Sequence, residues 1–184
     1  GDPGHKPARL GQMAAASQRT KGQRRGISHT CRRANRCLTR CQTPNVNLAL
    51  WLQRHARTDP DRTAVFAGAS AWKSYGRLAS DVASLARGLR EKLGLAPGDR
   101  VALVMANSPE YAEILLAAWW AGLACVPVNA KLHPREVAFI LEDSGASAVF
   151  ATPDWIAGLA EATAGLARAP DVIEAGSVGY GALF

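Results

Sequence analysis

The hydrophobic residues of this chain form short apolar runs that alternate with helical patterns. The clearest example is the stretch 100–129, which reads RVALVMANSPEYAEILLAAWWAGLACVPVN. Its first apolar run, 101–104, has the length of a strand buried on both faces. Residues 114–121 are apolar on every side, which predicts a helix buried over most of its circumference. A second apolar run, 124–128, completes a strand–helix–strand unit with parallel strands.

Polar residues mark the point at which the helix of this unit begins. Ser108 is expected to be its N-cap, with a hydroxyl that accepts a hydrogen bond from a free backbone N–H. Pro109 suits the first helical position, and Glu110 suits the positive end of the helix dipole. Trp119 and Trp120 lie within the apolar run, so both indoles are expected to pack in the core.

Three more elements are predicted before this unit. Residues 47–57 predict a helix whose apolar side is formed by Leu48, Leu50, Trp51 and Leu52. Residues 63–67 and 71–75 are apolar runs separated by a Gly-Ala-Ser turn, which predicts an antiparallel hairpin. Apolar residues at helical spacing predict the next helix, with a stripe formed by Leu78, Val82, Leu85, Leu89 and Leu93. Gly94 is expected to end that helix in the left-handed conformation.

Further helices and strands are predicted after the unit. Pro134 begins a helix whose apolar side is Val137, Ile140 and Leu141. Residues 148–151 predict a strand, followed by an N-cap at Thr152 and a helix that carries Trp155, Ile156 and Leu159 inward. Val172 and Ile173 indicate one more strand. This order predicts an α/β fold with a doubly wound, mostly parallel sheet, helices on both faces and the hairpin at its edge.

The charge of the chain is concentrated at its beginning. The formal net charge is +7, but residues 1–43 contain ten of the 22 Lys and Arg residues and one of the 15 acids. Large apolar side chains are rare there, which predicts a disordered basic leader, with targeting or nucleic-acid contact as alternatives. Residues 44–184 carry 12 basic and 14 acidic residues, so no nucleic-acid partner is expected for this folded domain.

The cysteines and the hydropathy limit the cellular setting. Cys31, Cys37 and Cys41 lie near His29, but no second Cys or His pair follows at the spacing of a structural zinc site. Cys125 lies in an apolar run and is expected to be a small buried hydrophobe, so a reducing, cytoplasmic compartment is predicted. The longest apolar run is shorter than the roughly 20 residues that span a bilayer, so no transmembrane segment is expected.

Common catalytic motifs are incomplete in this sequence. Residues 176–181 read G-x-x-G-x-G without the Gly-Lys-Ser/Thr ending of a phosphate loop, which indicates a surface turn. Ser70 and Ser147 each follow Gly-Ala but lack the second glycine of a nucleophile elbow. His55 and His133 have no partner at metal-ligand spacing, so both are expected to be solvated or to cap helices. No catalytic, cofactor-binding or metal-binding residue is therefore assigned.

One location in the predicted sheet suits a ligand. Asn107-Ser108 and residues 129–133 both follow the carboxyl ends of consecutive strands. Open α/β sheets bind ligands at such ends, and each segment precedes a helix N-terminus that attracts an anion. The same residues also suit helix caps, so a binding site and simple capping are both open interpretations.

Five segments of the chain resemble, in this order, the amino-terminal part of AMP-forming acyl-CoA synthetases, which belong to the adenylate-forming superfamily. They are WKSYGRL at 72–78, GLAPGDRVA at 94–102, NSPEY at 107–111, AGLACVPVN at 121–129 and ILEDSG at 140–145. The similarity covers residues 46–184. Within the superfamily, residues 127–136 are more similar to fatty-acid or related acid–CoA ligases than to peptide-synthetase adenylation domains.

The resemblance implies a two-step reaction. A carboxylate attacks the α-phosphate of Mg-ATP, and the thiol of coenzyme A then displaces AMP from the acyl-adenylate. It implies ATP, Mg²⁺ and coenzyme A for the full-length enzyme and a small carboxylic acid, expected to be a fatty acid, as substrate. The family's phosphate loop and catalytic residues have no counterpart here, so the chain is expected to be an amino-terminal fragment that is inactive alone. The alternative is a stand-alone α/β small-molecule-binding or interaction module.

Overall fold

The structure, a computed structural model, describes residues 47–184. The strands in chain order are β1 (Thr63–Ala67), β2 (Ser70–Ser74), β3 (Arg100–Val104), β4 (Ala124–Val128), β5 (Ala148–Ala151) and β6 (Asp171–Glu174). The α-helices are α1 (Ala49–Thr58), α2 (Tyr75–Glu91), α3 (Pro109–Trp120), α4 (Pro134–Ser144), α5 (Ile156–Thr163) and α6 (Val178–Gly181). A 3₁₀ turn, Pro153–Trp155, precedes α5. The leader and its cysteines lie outside the described residues.

The four strands β3 to β6 form one parallel sheet in the order β4-β3-β5-β6. β3 lies at its centre, where Leu103 is opposite Pro127 of β4 on one side and Phe150 of β5 on the other. Every residue of β3 after Arg100 is buried, as expected for a strand covered on both faces. The predicted parallel α/β sheet is confirmed.

Two hydrophobic cores cover the two faces of this sheet. On the first face, Val101 and Leu103 pack with α2 and α3, including the predicted leucine stripe and Ile114. On the second face, Ala102 and Val104 pack with α4 and α5, including Val137 and Leu159. The alternation of β3 side chains between the two cores follows from the two-residue period of a strand.

Two glycines end helices, Gly94 as predicted and Gly145 in addition. Gly94 after α2 has φ 66° and Gly145 after α4 has φ 57°, both in the left-handed region that glycine adopts without steric cost. Gly145 is held further by Arg100, whose Nε donates to the Ser144 carbonyl at 2.7 Å and whose Nη2 donates to the Gly145 carbonyl at 2.9 Å. The start of β3 thus caps the C-terminus of α4.

The hairpin forms, but the prediction that it lies at the edge of the parallel sheet is wrong. β1 and β2 pair only with each other, as a separate two-stranded sheet. The reason is that Ser74 ends β2 and is also the N-cap of α2, so the hairpin is attached directly to a helix that covers a sheet face. Val65 and Trp72 accordingly pack against the core on the α2–α3 side.

The apolar side predicted for the first helix is confirmed at Leu52 and wrong at its other three residues. α1 buries Ala49 and Leu52, whereas Leu48, Leu50 and Trp51 are exposed. The Asn47 side chain sets this orientation, because its Oδ1 accepts from the Ala49 N–H at 2.9 Å and its Nδ2 donates to the carbonyl of Trp119 at 2.7 Å. Leu50 and Trp51 of α1, and Leu48 at its N-cap, therefore face outward.

Three smaller expectations are corrected by the packing. Trp119 and Trp120 are half-buried, since α3 turns Ala117 and Ala118 to the sheet, and of the two indoles only that of Trp120 packs against the first core. Residues 176–181 are not only a turn, because Ser177 accepts from the Tyr180 N–H at 3.1 Å and starts the short helix α6. Cys125 is half-buried rather than fully buried.

Within residues 47–184, none of the helices combines the length and the apolar character needed to cross a bilayer.

Candidate functional site

A cleft of about 560 Å³ opens at the carboxyl ends of β3 and β4. Its polar lining residues are Asn107, Tyr111, Asn129, Lys131 and Asp154. The first two follow β3, the next two follow β4, and Asp154 follows β5. Of the strand-end residues singled out in the sequence, Asn107 and residues 129–131 line one cleft, whereas Ser108, Leu132 and His133 are not among its lining residues.

The path of the chain explains why a cleft forms here. The connection after β3 runs to α3 on one face of the sheet, whereas the connection after β4 runs to α4 on the other face. Adjacent strands whose connections leave in opposite directions create the crevice at which open α/β sheets bind ligands. The sequence missed Asp154, although the same strand-end rule applied to β5 would have found it.

The loop between β4 and α4 is fixed by hydrogen bonds on both sides. Asn129 Oδ1 accepts from the Lys131 N–H at 3.0 Å, which makes a tight turn. The indole Nε1 of Trp155 donates to the Ala130 carbonyl at 2.8 Å, which ties this loop to the 3₁₀ turn after β5. The exposed Lys131 is thus held at the cleft by an ordered backbone.

His133 caps α4, which was one of the two roles predicted for it. Its Nδ1 accepts from the Arg135 N–H at 3.2 Å, and Glu136 Oε2 accepts from the His133 N–H at 2.8 Å. This reciprocal arrangement is a capping box. The Nδ1 atom and the backbone N–H of His133 are therefore both used in capping the helix.

Ser108 does not cap α3 with its hydroxyl, which corrects the expectation from sequence. Its backbone is at the N-cap position, with φ −140° and ψ 162°, but its side chain accepts no hydrogen bond from the helix. The Tyr111 N–H donates at 3.1 Å to the Ser108 carbonyl instead. The Oγ atom is buried and has no partner within residues 47–184.

The electrostatics of the cleft combine opposite charges with a neutral phenol. Burial, and to a smaller extent the nearby Cys125, raises the pKa of Tyr111, so its hydroxyl stays protonated at neutral pH. Lys131 supplies a positive charge and Asp154 a negative one, and both are exposed. The N-termini of α3 and α4 add partial positive charge. The cleft is suited to binding a polar ligand with an anionic group.

A buried charged cluster lies away from this cleft and was not predicted. Glu113 of α3 is 1% exposed, and it contacts Lys73 Nζ through Oε1 and accepts from the Tyr180 hydroxyl through Oε2 at 2.6 Å. Lys73 Nζ also lies 2.8 Å from Asp81 Oδ2, which in turn accepts from Arg77 Nε at 2.9 Å. An acid inside an apolar helix is the sequence signal that marks this cluster, because buried charges require partners.

This cluster joins β2, α2, α3 and α6. Since both Glu113 oxygens have partners, the group is satisfied without a ligand. We therefore interpret it as a structural anchor rather than a reaction centre.

The other sequence candidates remain apart from each other. Ser70 is exposed at the start of β2, and His55 is exposed with its ring 5.1 Å from that of Tyr75. Ser147 lies just before β5, where its carbonyl accepts from the Asp171 N–H at 3.0 Å. The described residues bring no three His, Cys, Asp or Glu side chains together as a metal site.

Comparison with a family model identifies residues 52–178 as an AMP-binding enzyme sequence. Feruloyl-CoA synthase from Amycolatopsis is 43% identical over 127 residues, which cover 68% of this chain and 26% of the synthase. Long-chain-fatty-acid–CoA ligase FadD13 from Mycobacterium tuberculosis is 49% identical over 57 residues, which cover 31% of this chain and 11% of that ligase. The chain thus spans about a quarter of the length of the synthase.

Solved structures agree with this assignment. The N-terminal domain of FACL13 from Mycobacterium tuberculosis has a TM-score of 0.64 and 31% identity, with 71% of this chain and 34% of that chain covered. A benzoate CoA ligase from Burkholderia xenovorans has a TM-score of 0.67 and 27% identity, with 75% of this chain and 28% of that chain covered. Because the family model matches more than half of the residues, the chain belongs to the AMP-binding enzyme family.

Proposed function

We propose that this chain is the amino-terminal part of an ATP-dependent, AMP-forming ligase that joins a carboxylic acid to coenzyme A. The match of residues 52–178 to the AMP-binding enzyme family carries this proposal. In the reaction, an acid oxygen attacks the α-phosphate of Mg-ATP and pyrophosphate leaves. The coenzyme A thiol then attacks the acyl carbon, and AMP leaves. We place the enzyme in the cytoplasm.

The cleft at the ends of β3 and β4 forms one wall of the site that holds a phosphate-bearing substrate, ATP or coenzyme A. Lys131 and the N-termini of α3 and α4 favour an anion there, and the Asn107 and Asn129 amides supply donors. Magnesium enters with ATP as part of the substrate, and Asp154 is the carboxylate among the cleft residues. No side chain of the cleft is assigned to the covalent steps, so the chain alone is expected to bind but not to turn over.

The acid is proposed to be a fatty acid, following the resemblance of residues 127–136 to fatty-acid ligases. FadD13 is such a ligase, but feruloyl-CoA synthase acts on an aromatic acid, and this chain matches it over more residues. Activity assays with hexadecanoate and with ferulate distinguish a fatty-acid ligase from an aromatic-acid ligase. Expressed together with the sequence that continues it, this chain should give kcat/KM for hexadecanoate at least about tenfold above that for ferulate. A preference for ferulate would overturn the fatty-acid assignment alone.

Two measurements test the activity and the cleft separately. Pyrophosphate release by the 184-residue chain, supplied with ATP and either acid, would contradict its proposed inactivity. Equilibrium titration with coenzyme A or ATP tests the cleft through Asn129→Asp, which keeps the turn to Lys131 but adds a negative charge. Affinity should fall by about tenfold, whereas Ser80→Ala on the exposed side of α2 should leave it unchanged. Equal affinity in both variants would remove the cleft from the proposal.

A further inference from the structure

A second cleft, of about 650 Å³, lies between the C-terminal parts of α2 and α3 and is called the α2–α3 cleft below. Its volume is within the range of small-molecule binding sites. Residues 95–97, which precede β3, form part of its lining, so it lies at the amino ends of the strands. The cleft at the carboxyl ends of β3 and β4, called the strand-end cleft below, shares no lining residue with it. The five residues of β3 separate the two clefts by about 16 Å.

The loop that forms one wall of the α2–α3 cleft is held in place at both ends. The Leu95 N–H donates to the Leu89 carbonyl at 3.1 Å, which ties the loop to α2. The Gly98 N–H donates to the Gly122 carbonyl at 2.9 Å, which ties it to the connection after α3. Pro97 packs so closely on Gly122 that a Cβ there would lie 3.3 Å from the proline ring. The wall is therefore preformed, which lowers the entropy cost of binding a ligand.

The charges of the α2–α3 cleft are supplied by α2. Arg87 and Arg90 both line the cleft, both are exposed, and their spacing of three residues places them on the same side of the helix. Within residues 47–184 the ion pairs involve Lys73 and Arg77, so neither of these two guanidinium groups is paired with an acid. Glu91 also lines the cleft, which leaves a net charge of one positive. This balance suits a ligand with a single negative charge.

An arginine near the C-terminus of a helix is also stabilised by the helix dipole. That role explains why Arg87 and Arg90 are tolerated at the end of α2, but it uses none of their N–H groups. Guanidinium groups bind carboxylates through two parallel hydrogen bonds, so the pair is suited to a carboxylate at the mouth of the cleft.

The remaining lining is apolar, since every side chain apart from the two arginines and Glu91 is that of Ala, Leu, Pro or Trp. Trp120 and Pro97 carry rings, whose flat surfaces suit a planar apolar group. A nucleotide fits this lining poorly. It would bring several phosphate charges to one net positive charge, and its ribose hydroxyls would find only Glu91 as a side-chain acceptor.

We propose that the α2–α3 cleft binds an aromatic monocarboxylate. The ring system of this ligand lies against Trp120 and Pro97, and its carboxylate pairs with Arg87 and Arg90. The site is additional to the substrate site of the proposed ligase, and its existence does not depend on that activity. The chain therefore has two separate ligand sites, one at each end of the parallel sheet.

Isothermal titration calorimetry of the full 184-residue chain with 2-naphthoate tests this proposal. Binding should be saturable, with Kd below about 1 mM. The uncharged 2-naphthamide keeps both rings but lacks the carboxylate, so it should bind at least about tenfold more weakly. Decanoate keeps the carboxylate but has no ring, so it should bind about threefold to tenfold more weakly than 2-naphthoate.

Variants assign the binding to the two arginines. Arg87→Gln combined with Arg90→Gln should weaken 2-naphthoate binding at least about tenfold, because both carboxylate partners are lost. The matched control is Arg54→Gln combined with Arg57→Gln, which removes the same charge from exposed positions of α1. In about 0.1 M salt the control should keep the affinity within about twofold of the unchanged chain, because screening limits the effect of distant charges.

Two more variants test the apolar part of the site. Trp120→Leu should bring the affinities for 2-naphthoate and decanoate to within about twofold of each other, since the aromatic surface is lost. Ala83→Leu places a larger side chain into the lining of the cleft and should weaken 2-naphthoate binding at least about tenfold. Urea unfolding of both variants verifies that they are folded under the titration conditions.

Several outcomes would overturn the proposal. These are the absence of saturable binding, equal affinity for 2-naphthoate and 2-naphthamide, and equal affinity of the two arginine double variants. A ratio of 2-naphthoate to decanoate affinity that Trp120→Leu leaves unchanged would overturn the aromatic class of the ligand. Asn129→Asp changes the strand-end cleft and should leave 2-naphthoate binding unaltered. A tenfold loss in that variant would place the probe in the strand-end cleft instead.

Discussion

The phenol of Tyr180 donates a 2.6 Å hydrogen bond to Glu113, a carboxylate that is only 1% exposed. This contact fastens α6 to α3 through two residues that are 67 positions apart in the chain. Lys73 neutralises the other oxygen of the same carboxylate. The fold therefore depends on three residues from separate elements that no local pattern connects.

Removal of this contact should lower the free energy of unfolding. Tyr180→Phe leaves one buried Glu113 oxygen without its donor, which costs about 1–3 kcal/mol. Glu113→Gln leaves Lys73 with Asp81 as its remaining carboxylate partner and should cost about 3 kcal/mol. Urea unfolding of both single variants and the double variant measures the coupling between the two side chains, expected at about 1–3 kcal/mol. Additive single effects would contradict the coupling.

The matched control is Tyr75→Phe. Tyr75 is half-buried, and its hydroxyl makes no hydrogen bond within the described residues. This change should alter the free energy of unfolding by less than about 0.5 kcal/mol.

Stability should fall in alkaline solution because the half-buried Cys125 and the buried Tyr180 resist deprotonation. Burial raises the pKa of Cys125 from 9.0 to about 12, and burial together with the Glu113 hydrogen bond raises the pKa of Tyr180 above its ordinary 10.0. Above pH 9 the unfolded chain releases these protons while the folded chain keeps them. Deprotonation therefore stabilises the unfolded state relative to the folded state. The contribution of these groups to the free energy of unfolding is fully present below pH 9 and is lost as the pH rises towards 12. The loss is at most about 1.4 kcal/mol per pH unit for each group.

Cys125→Ala should reduce this slope between pH 9 and 12, and Tyr180→Phe should reduce it above pH 10. Urea midpoints at pH 7 and at several alkaline values give the slopes. An unchanged alkaline slope in both variants would show that other groups control it.

Gly145→Ala should destabilise the protein more than Gly94→Ala. Both positions have φ near 60° at a helix end, so alanine costs about 1–2 kcal/mol at each. A Cβ at Gly145 would also lie 2.7 Å from Arg100 Nη2, whereas a Cβ at Gly94 meets no atom within 4 Å. Displacing the Arg100 side chain should add about 1 kcal/mol.

Thermal unfolding of Arg100→Ala and of the double variant with Gly145→Ala tests this explanation. In the Arg100→Ala variant, Gly145→Ala should lower the stability by no more than Gly94→Ala does. If Gly145→Ala still destabilises the Arg100→Ala variant more than Gly94→Ala does, a contact other than that with Arg100 causes the difference.

Trp155→Phe should loosen the loop that shapes the cleft. The change keeps most of the buried ring but removes the 2.8 Å hydrogen bond to the Ala130 carbonyl, at a cost of about 0.5–1.5 kcal/mol. Amide hydrogen exchange should quicken at residues 129–132 and remain unchanged in β3, which lies in the core. Exchange that increases equally in both places would indicate global destabilisation instead.

Local patterns in the sequence were sufficient to predict the parallel sheet and most helix ends. The run from Val101 to Val104 is too apolar for any position but the middle of a sheet, and Gly94 and Gly145 mark helix ends through their own backbone freedom. The strand-end rule also brought Asn107 and Asn129 to one cleft, because parallel strands end at a common edge. These features depend on neighbours in sequence or on the direction of the strands.

Tertiary packing decided the rest. The sequence determined that α1 is a helix, but the side chain of Asn47 and its contact with Trp119 decided that Trp51 faces outward. The pairing of Glu113 with Lys73 and Tyr180 joins residues 40 and 67 positions apart, which no periodicity encodes. Sequence spacing specifies which face of an element is apolar, and only the meeting of elements specifies which face is buried and which charges are paired.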